Sequence, residues 1–116
     1  DDTPPAHRER LMVRVGKRLV AVNVDDIDII RASGVYADVA AKGRRYTVRA
    51  SLRTLEAELD PERFVRVHRS VIVPIDRIEW FRRLGNGDGE LQTITGQRAP
   101  VSRARRPALE RKLGLK

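Results

Sequence analysis

Between Leu11 and Val101 the chain is a succession of short apolar runs rich in Val, Ile and Leu, each soon cut off by Gly, Asp, Asn or Pro. Strand side chains alternate between two faces and β-branched residues are stiff at χ1, so runs of this length and composition suit strands. Residues 11–15 and 19–22 predict a hairpin around Gly16-Lys17-Arg18. Asp25 and Asp26 interrupt the pattern as a turn would, Ile27, Ile29 and Ile30 resume it as a strand, and Gly34 punctuates that strand. Residues 35–41 and 44–50 flank Lys42-Gly43, and in the second run Tyr46 and Val48 share one face while Arg45, Thr47 and Arg49 share the other. The period then changes, because Leu52, Leu55 and Leu59 at i, i+3 and i+7 predict a short amphipathic helix, capped by Ser51 and stopped by Asp60-Pro61.

Residues 65–74 predict a strand interrupted at His68-Arg69-Ser70 and closed by Pro74. Residues 75–84 and 90–95 are the arms of a hairpin around Gly85-Asn86-Gly87-Asp88-Gly89. Gly96-Gln97 is a further turn, residues 98–101 a last strand, and Pro107 at the first helical position starts a terminal helix. No connection is long enough for repeated βαβ crossovers. The expectation is a mainly β fold of about ten short, mostly antiparallel strands with one or two short helices.

At 116 residues the chain has the size of one domain, able to bury a core without disulfide or metal staples. It has no cysteine, which excludes a disulfide framework, a thiolate nucleophile and a Cys-based zinc site. No apolar run approaches the roughly 20 residues of a membrane-spanning helix, and the start, DDTPPAHRER, lacks a signal peptide's apolar stretch. Residues 1–7 are expected to be a disordered linker from a missing N-terminal domain, and residues 8–116 the folded domain. The net charge is +8, and 20 of the 24 basic residues are Arg, whose planar fork matches phosphates and guanine edges. Residues 91–116 hold seven basic side chains against the single acid Glu110, a net +6 of that total. Such a balance favours a polyanionic partner, although a solubilising surface has the same composition.

Two polar clusters stand out against the apolar pattern: His68-Arg69-Ser70, and Ser102-Arg103-Ala104-Arg105-Arg106 at the end of the last strand. Ser hydroxyls with backbone amides hold phosphates while neighbouring Arg side chains reach a guanine edge, so two such elements make a binding face. The alternative is a pair of loops whose polar groups satisfy local backbone. Nothing indicates catalysis: His68 and Ser70 lack a GxSxG context, the two histidines have no carboxylates at metal-ligand spacing, and the Gly85–Gly89 loop lacks the Lys-Ser/Thr pair of a P-loop. No cofactor and no metal are expected.

The segments YTVRASLRTLEAEL, RFVRVHRSVIVPIDRI and APVSRARRPALERKL, in that order, resemble the LytTR-type DNA-binding domain of bacterial transcription regulators, over about residues 8 to 114. The resemblance implies small antiparallel sheets whose loops enter the major groove of double-stranded DNA at imperfect direct repeats. It implies the output domain of a cytoplasmic two-component response regulator, an N-terminal regulatory domain in the full-length protein, and two copies on DNA. By position, Arg69 and Arg103 would read bases, with Tyr36 of the Ser33 to Tyr36 loop as a third contact. Arg66, His68, Ser70, Ser102, Arg105 and Arg106 would hold phosphates, together with Arg45 or Arg49. The chain departs from the family pattern at Pro74 and Ile75, a Val-Asn pair being usual at Val73 and Pro74. The competing expectation is a β-rich module that binds single-stranded nucleic acid or an acidic protein partner; its aromatics are Tyr36, Tyr46, Phe64, Trp80 and Phe81.

Overall fold

A computed structural model describes residues 9–115, and the expected linker over residues 1–7 lies outside them. β1 (Arg10–Val15) and β2 (Arg18–Asn23) form a hairpin whose turn is Gly16-Lys17, with Gly16 at φ 64°. Arg18, expected in the turn, is the first residue of β2, because a two-residue turn with positive φ matches strand twist better than a longer loop. A 3₁₀ turn (Val24–Asp26), capped by the Asn23 side chain on the Asp25 amide, leads to β3 (Ile27–Ser33), β4 (Tyr36–Ala41) and β5 (Arg44–Val48). Next comes α1 (Leu52–Glu58), where Ser51 Oγ accepts from the Thr54 amide at 3.1 Å.

β6 (Phe64–His68) and β7 (Val71–Pro74) are followed by a second 3₁₀ turn (Ile75–Arg77), β8 (Ile78–Arg83), β9 (Gly89–Thr93), β10 (Arg98–Val101) and α2 (Arg106–Lys112). Residues 75–77, expected in a strand, are therefore a turn. Ile75 donates its amide to Arg63 O at 2.8 Å, and the chain tightens behind it with the Ile78 amide on Ile75 O. Pro74 is the N-cap of this turn and makes no side-chain cap bond; an Asn would supply one. α2 also starts one residue earlier than expected, with Arg105 as N-cap, Arg106 first and Pro107 second, where a missing amide still costs nothing.

The strands form three antiparallel sheets: β1-β2, β8 to β10 in the order β10-β9-β8, and a five-stranded sheet in the order β5-β4-β3-β7-β6. The five-stranded sheet is the middle layer. One face carries Ile30, Val39 and Ile72 against Leu11, Val13 and Val22 of the first hairpin and Leu52, Leu55 and Leu59 at α1. The other carries Ile29, Val65, Val67, Val71 and Val73 against Leu91, Ala99 and Val101 of the three-stranded sheet and Leu109 of α2. Burial on both faces explains why every residue of β7 is apolar and buried, where a strand with one wet face would alternate.

A bulge in β3 between Ile27 and Ile29 turns Asp28 inward. Its buried carboxylate accepts from Thr93 Oγ1 at 3.1 Å and from Thr95 Oγ1, which ties the middle sheet to the three-stranded one. Leu109 is fully buried and joins α2 to the same layer. Leu109→Ala is expected to lower the unfolding free energy by about 2–5 kcal/mol in a urea titration. A loss below about 1 kcal/mol would show that α2 is peripheral to the core.

Candidate nucleic-acid interface

β6 and β7 leave the core together, and their two-residue turn is Arg69-Ser70, with His68 paired to Val71 at its base. The His68 ring folds over the turn: Nδ1 lies 2.8 Å from Ser70 Oγ and accepts the Ser70 amide at 3.2 Å. An Nδ1 that accepts an amide carries no proton, so the neutral ring has its N–H at Nε2. No carboxylate bonds this His68-Ser70 pair, so it lacks the third member of a hydrolase triad among the described residues. Arg66, only 17% exposed, braces the turn from below, donating through Nη2 to Arg69 O at 2.7 Å and facing Glu56 at 3.4 Å through Nη1. The Arg69 side chain is exposed and makes no hydrogen bond or ion pair among the described residues.

β6 is an edge strand, and its outer backbone groups need partners. The register slips at Val67, and Val67 O accepts the Ser102 amide at 2.9 Å. That bond seats the Ser102 to Arg106 segment beside the His68-Arg69-Ser70 turn. Ser102 O in turn accepts the amides of Arg105 and Arg106 at 3.0 and 2.9 Å, which coils the segment into α2. Arg105 is half-buried and makes no side-chain bond among the described residues. Arg103 and Arg106 instead face the loop between β8 and β9. Arg103 donates to Asn86 O, and Arg106 Nη1 reaches Gly87 O at 3.0 Å and Asp88 O at 3.1 Å while its Nε meets Glu110 at 2.8 Å.

The β3-β4 turn belongs to the same rim, because Ala32 donates its amide to Ser70 O at 2.9 Å. Tyr36 opens β4 there, 43% exposed, and Val35 beside it is exposed too. Val48 pairs with Ala37, which brings Arg49 to this end, whereas Arg45, opposite Ala40, lies farther back along β5. Sequence reasoning missed Arg31. It pairs with Asp38 and with Val71 on the face that carries Arg45, and it donates through Nη2 to Arg98 O. Burial first, and then Arg45 nearby, lowers its pKa from the usual guanidinium value. No local signal marks Arg31, since its neighbours are set by pairing across three strands. Among the described residues no cluster of His, Cys, Asp and Glu is arranged to hold a metal, and no helix is long and apolar enough to cross a membrane.

A family profile described as the LytTr DNA-binding domain matches residues 17–114. The chain belongs to the LytTr DNA-binding domain family. It is 29% identical over 102 residues to a CO-responsive transcriptional regulator, RcoM, of Rhodospirillum rubrum, covering 87% of this chain and 43% of that protein. It is 31% identical over 98 residues to the sensory transduction protein LytT of Bacillus subtilis, covering 84% of this chain and 41% of that one. The LytTr domain described here thus spans about two fifths of the length of these relatives. A solved LytTr DNA-binding domain of a putative methyl-accepting/DNA response regulator from Bacillus cereus has the same fold, with a TM-score of 0.84 and 23% identity over 93% of this chain and 99% of that one. The family is defined by DNA binding, not by a reaction.

In this LytTr domain Glu110 is the acid around which the basic C-terminal region is arranged. Arg83 meets it through Nε at 3.0 Å and through Nη2, and Arg106 from the other side. The hydrogen bond from Arg83 is the largest cause of a Glu110 pKa below the usual carboxylate value; burial opposes it and Arg106 adds to it. A pKa lowered on folding stabilises the native state above the unfolded carboxylate's pKa and ceases to do so as pH falls through the folded value. The wild type is therefore expected to melt above Glu110→Gln at pH 7, with the gap closing as pH falls below about 4, near the reference Glu pKa. A gap unchanged by acid would show that the ion pairs do not stabilise the domain.

Proposed function

We propose that this LytTr domain recognises double-stranded DNA by sequence, through loops of one rim entering the major groove. The observation that carries the reading is the bond from the Ser102 amide to Val67 O, which places two Ser/Arg clusters far apart in sequence side by side. Arg69, exposed and unpaired among the described residues, and Arg103 are the base readers, with Tyr36 beside them. His68 through Nε2–H, Ser70, Ser102, Arg105 and Arg49 hold phosphates, and Arg45 extends the basic face along the sheet. Arg66 and Arg106, grouped with the phosphate contacts on sequence grounds, each have two of their nitrogens engaged on loop carbonyls and a carboxylate, and we assign them the holding of the two loops. The setting we propose is a cytoplasmic transcription regulator with a regulatory segment N-terminal to this domain, bound as two copies at imperfect direct repeats. The longer relatives, named as regulators of transcription or of sensory transduction, support it.

Single-strand binding is the weaker reading. Stacking needs open aromatic faces, yet Arg82 and Arg98 lie 5.7 and 5.4 Å from the Trp80 ring centroid, Phe64 is buried, and Tyr46 and Phe81 pack against the cores. Selection from a random duplex pool at physiological salt is expected to enrich one repeated motif with the wild type and none with the Arg69→Ala, Arg103→Ala double variant. On the selected duplex each single variant is expected to relax preference at one base position by about 1–3 kcal/mol. Arg105→Ala is expected to weaken selected and random duplexes alike and to reduce the salt slope by about 1. No enrichment by the wild type, or better competition by single strands, would overturn the reading.

A further inference from the structure

The Gly-rich loop between β8 and β9 reads in the sequence as a plain hairpin connection. In the structure it holds Arg103 at three points. Asp88 Oδ1 accepts the Arg103 amide at 2.9 Å, and Asn86 O accepts from Arg103 Nη2. Between them the arginine stem lies on Gly87, where a Cβ would stand 2.7 Å from Arg103 Nε and 3.3 Å from Cγ and Cδ. Gly87 has φ 96°, a conformation that side chains rarely adopt, so residue type is constrained there twice. The loop is itself fixed: Asn86 Oδ1 accepts the Asp88 amide at 3.0 Å, Leu84 donates to Asp88 O at 2.9 Å, and Arg106 grips the carbonyls of Gly87 and Asp88.

We infer that this loop is a positioning clamp for Arg103, and that Asp88 and Gly87 set DNA specificity through Arg103 rather than by contacts of their own. The inference rests on the base-reading role proposed for Arg103. A guanidinium has five N–H donors and only one is engaged on Asn86 O, so the pair needed for a bidentate guanine contact stays free. An unheld arginine must be ordered when it meets a base, at a cost in side-chain entropy; one already laid on Gly87 and tethered at both ends loses less.

The test compares Asp88→Asn with Asp88→Ala, since both remove the same charge and only Asn keeps an oxygen to accept the Arg103 amide. The readout is the ratio of affinities for the selected duplex and a random duplex at fixed salt, alongside the melting temperature. Asp88→Ala is expected to lower that ratio about tenfold and Asp88→Asn to leave it within about twofold, in line with the approximate loss of one hydrogen bond to an uncharged partner. Gly87→Ala is expected to lower the ratio too, and Asp88→Ala to have no further effect on an Arg103→Ala background. Equal ratios for the Asn and Ala variants, or additive losses on that background, would overturn the clamp. An Arg103→Ala variant with an unchanged ratio would overturn the base-reading role and the clamp with it.

Discussion

The burial of β7 and of much of β6 on both faces of the five-stranded sheet restricts where polar chemistry can sit in this part of the domain. β7 is buried at every residue, and on β6 Phe64, Val65 and Val67 are buried. A charge placed in β7 would have to be desolvated against two apolar layers, a cost of several kcal/mol per unpaired ion, and the one charge in β6, Arg66, is bonded to Arg69 O and faces Glu56. Asp28 is the one buried carboxylate among the described residues, and it needs a bulge and two threonine hydroxyls to be there. The polar clusters beside these two strands lie at strand ends. The His68-Arg69-Ser70 turn, the Ser33 to Tyr36 turn and Ser102 after β10 are such ends, and antiparallel pairing brings them to one rim.

The proposed reading of DNA by these loops requires them to be rigid, and the contacts that hold them come largely from arginine. Arg66 supports the Arg69 carbonyl, Arg106 holds Gly87 and Asp88, Arg31 reaches Arg98 O, and Arg83 meets Glu110. A guanidinium suits this task because its planar fork serves several acceptors at once while remaining charged. The arginine-rich composition therefore has two uses, and the net charge of +8 overstates how many cations face a ligand.

Much of the fold was legible in the sequence because turns here carry their own signals. Gly16, Gly34, Gly43, Gly87 and Gly96 all take positive φ where a turn was expected, and the leucine spacing and Ser51 mark α1. The second 3₁₀ turn was not legible, since Ile75 and Ile78 continue the apolar rhythm and the chain is bent by backbone bonds, from Ile75 to Arg63 O and from Ile78 to Ile75 O. For the candidate site, the two clusters could be read as polar interruptions. That they are neighbours could not, because it depends on a slipped register at Val67 and a single backbone bond across 35 positions of sequence. Arg31 and the inward turn of Arg66 and Arg106 were hidden for the same reason, as a side chain's partners are set by tertiary pairing.

A domain that reads DNA with a helix obtains rigidity from that helix's own hydrogen bonds. Here both α-helices have only seven residues, about two turns, and each commits leucines to a core: Leu52 and Leu55 in α1, Leu109 in α2. Neither is free to lie in a groove without uncovering the layer it seals. The proposed recognition by loops therefore needs rigidity from contacts outside the loops themselves, and the bonds onto Val67 O, Arg69 O, Gly87 O and Asp88 O are those contacts. On the proposed reading, specificity depends on residues that brace the rim as well as on those assigned to the bases, so that a substitution in a bracing loop is expected to alter recognition while leaving every proposed reading residue in the sequence.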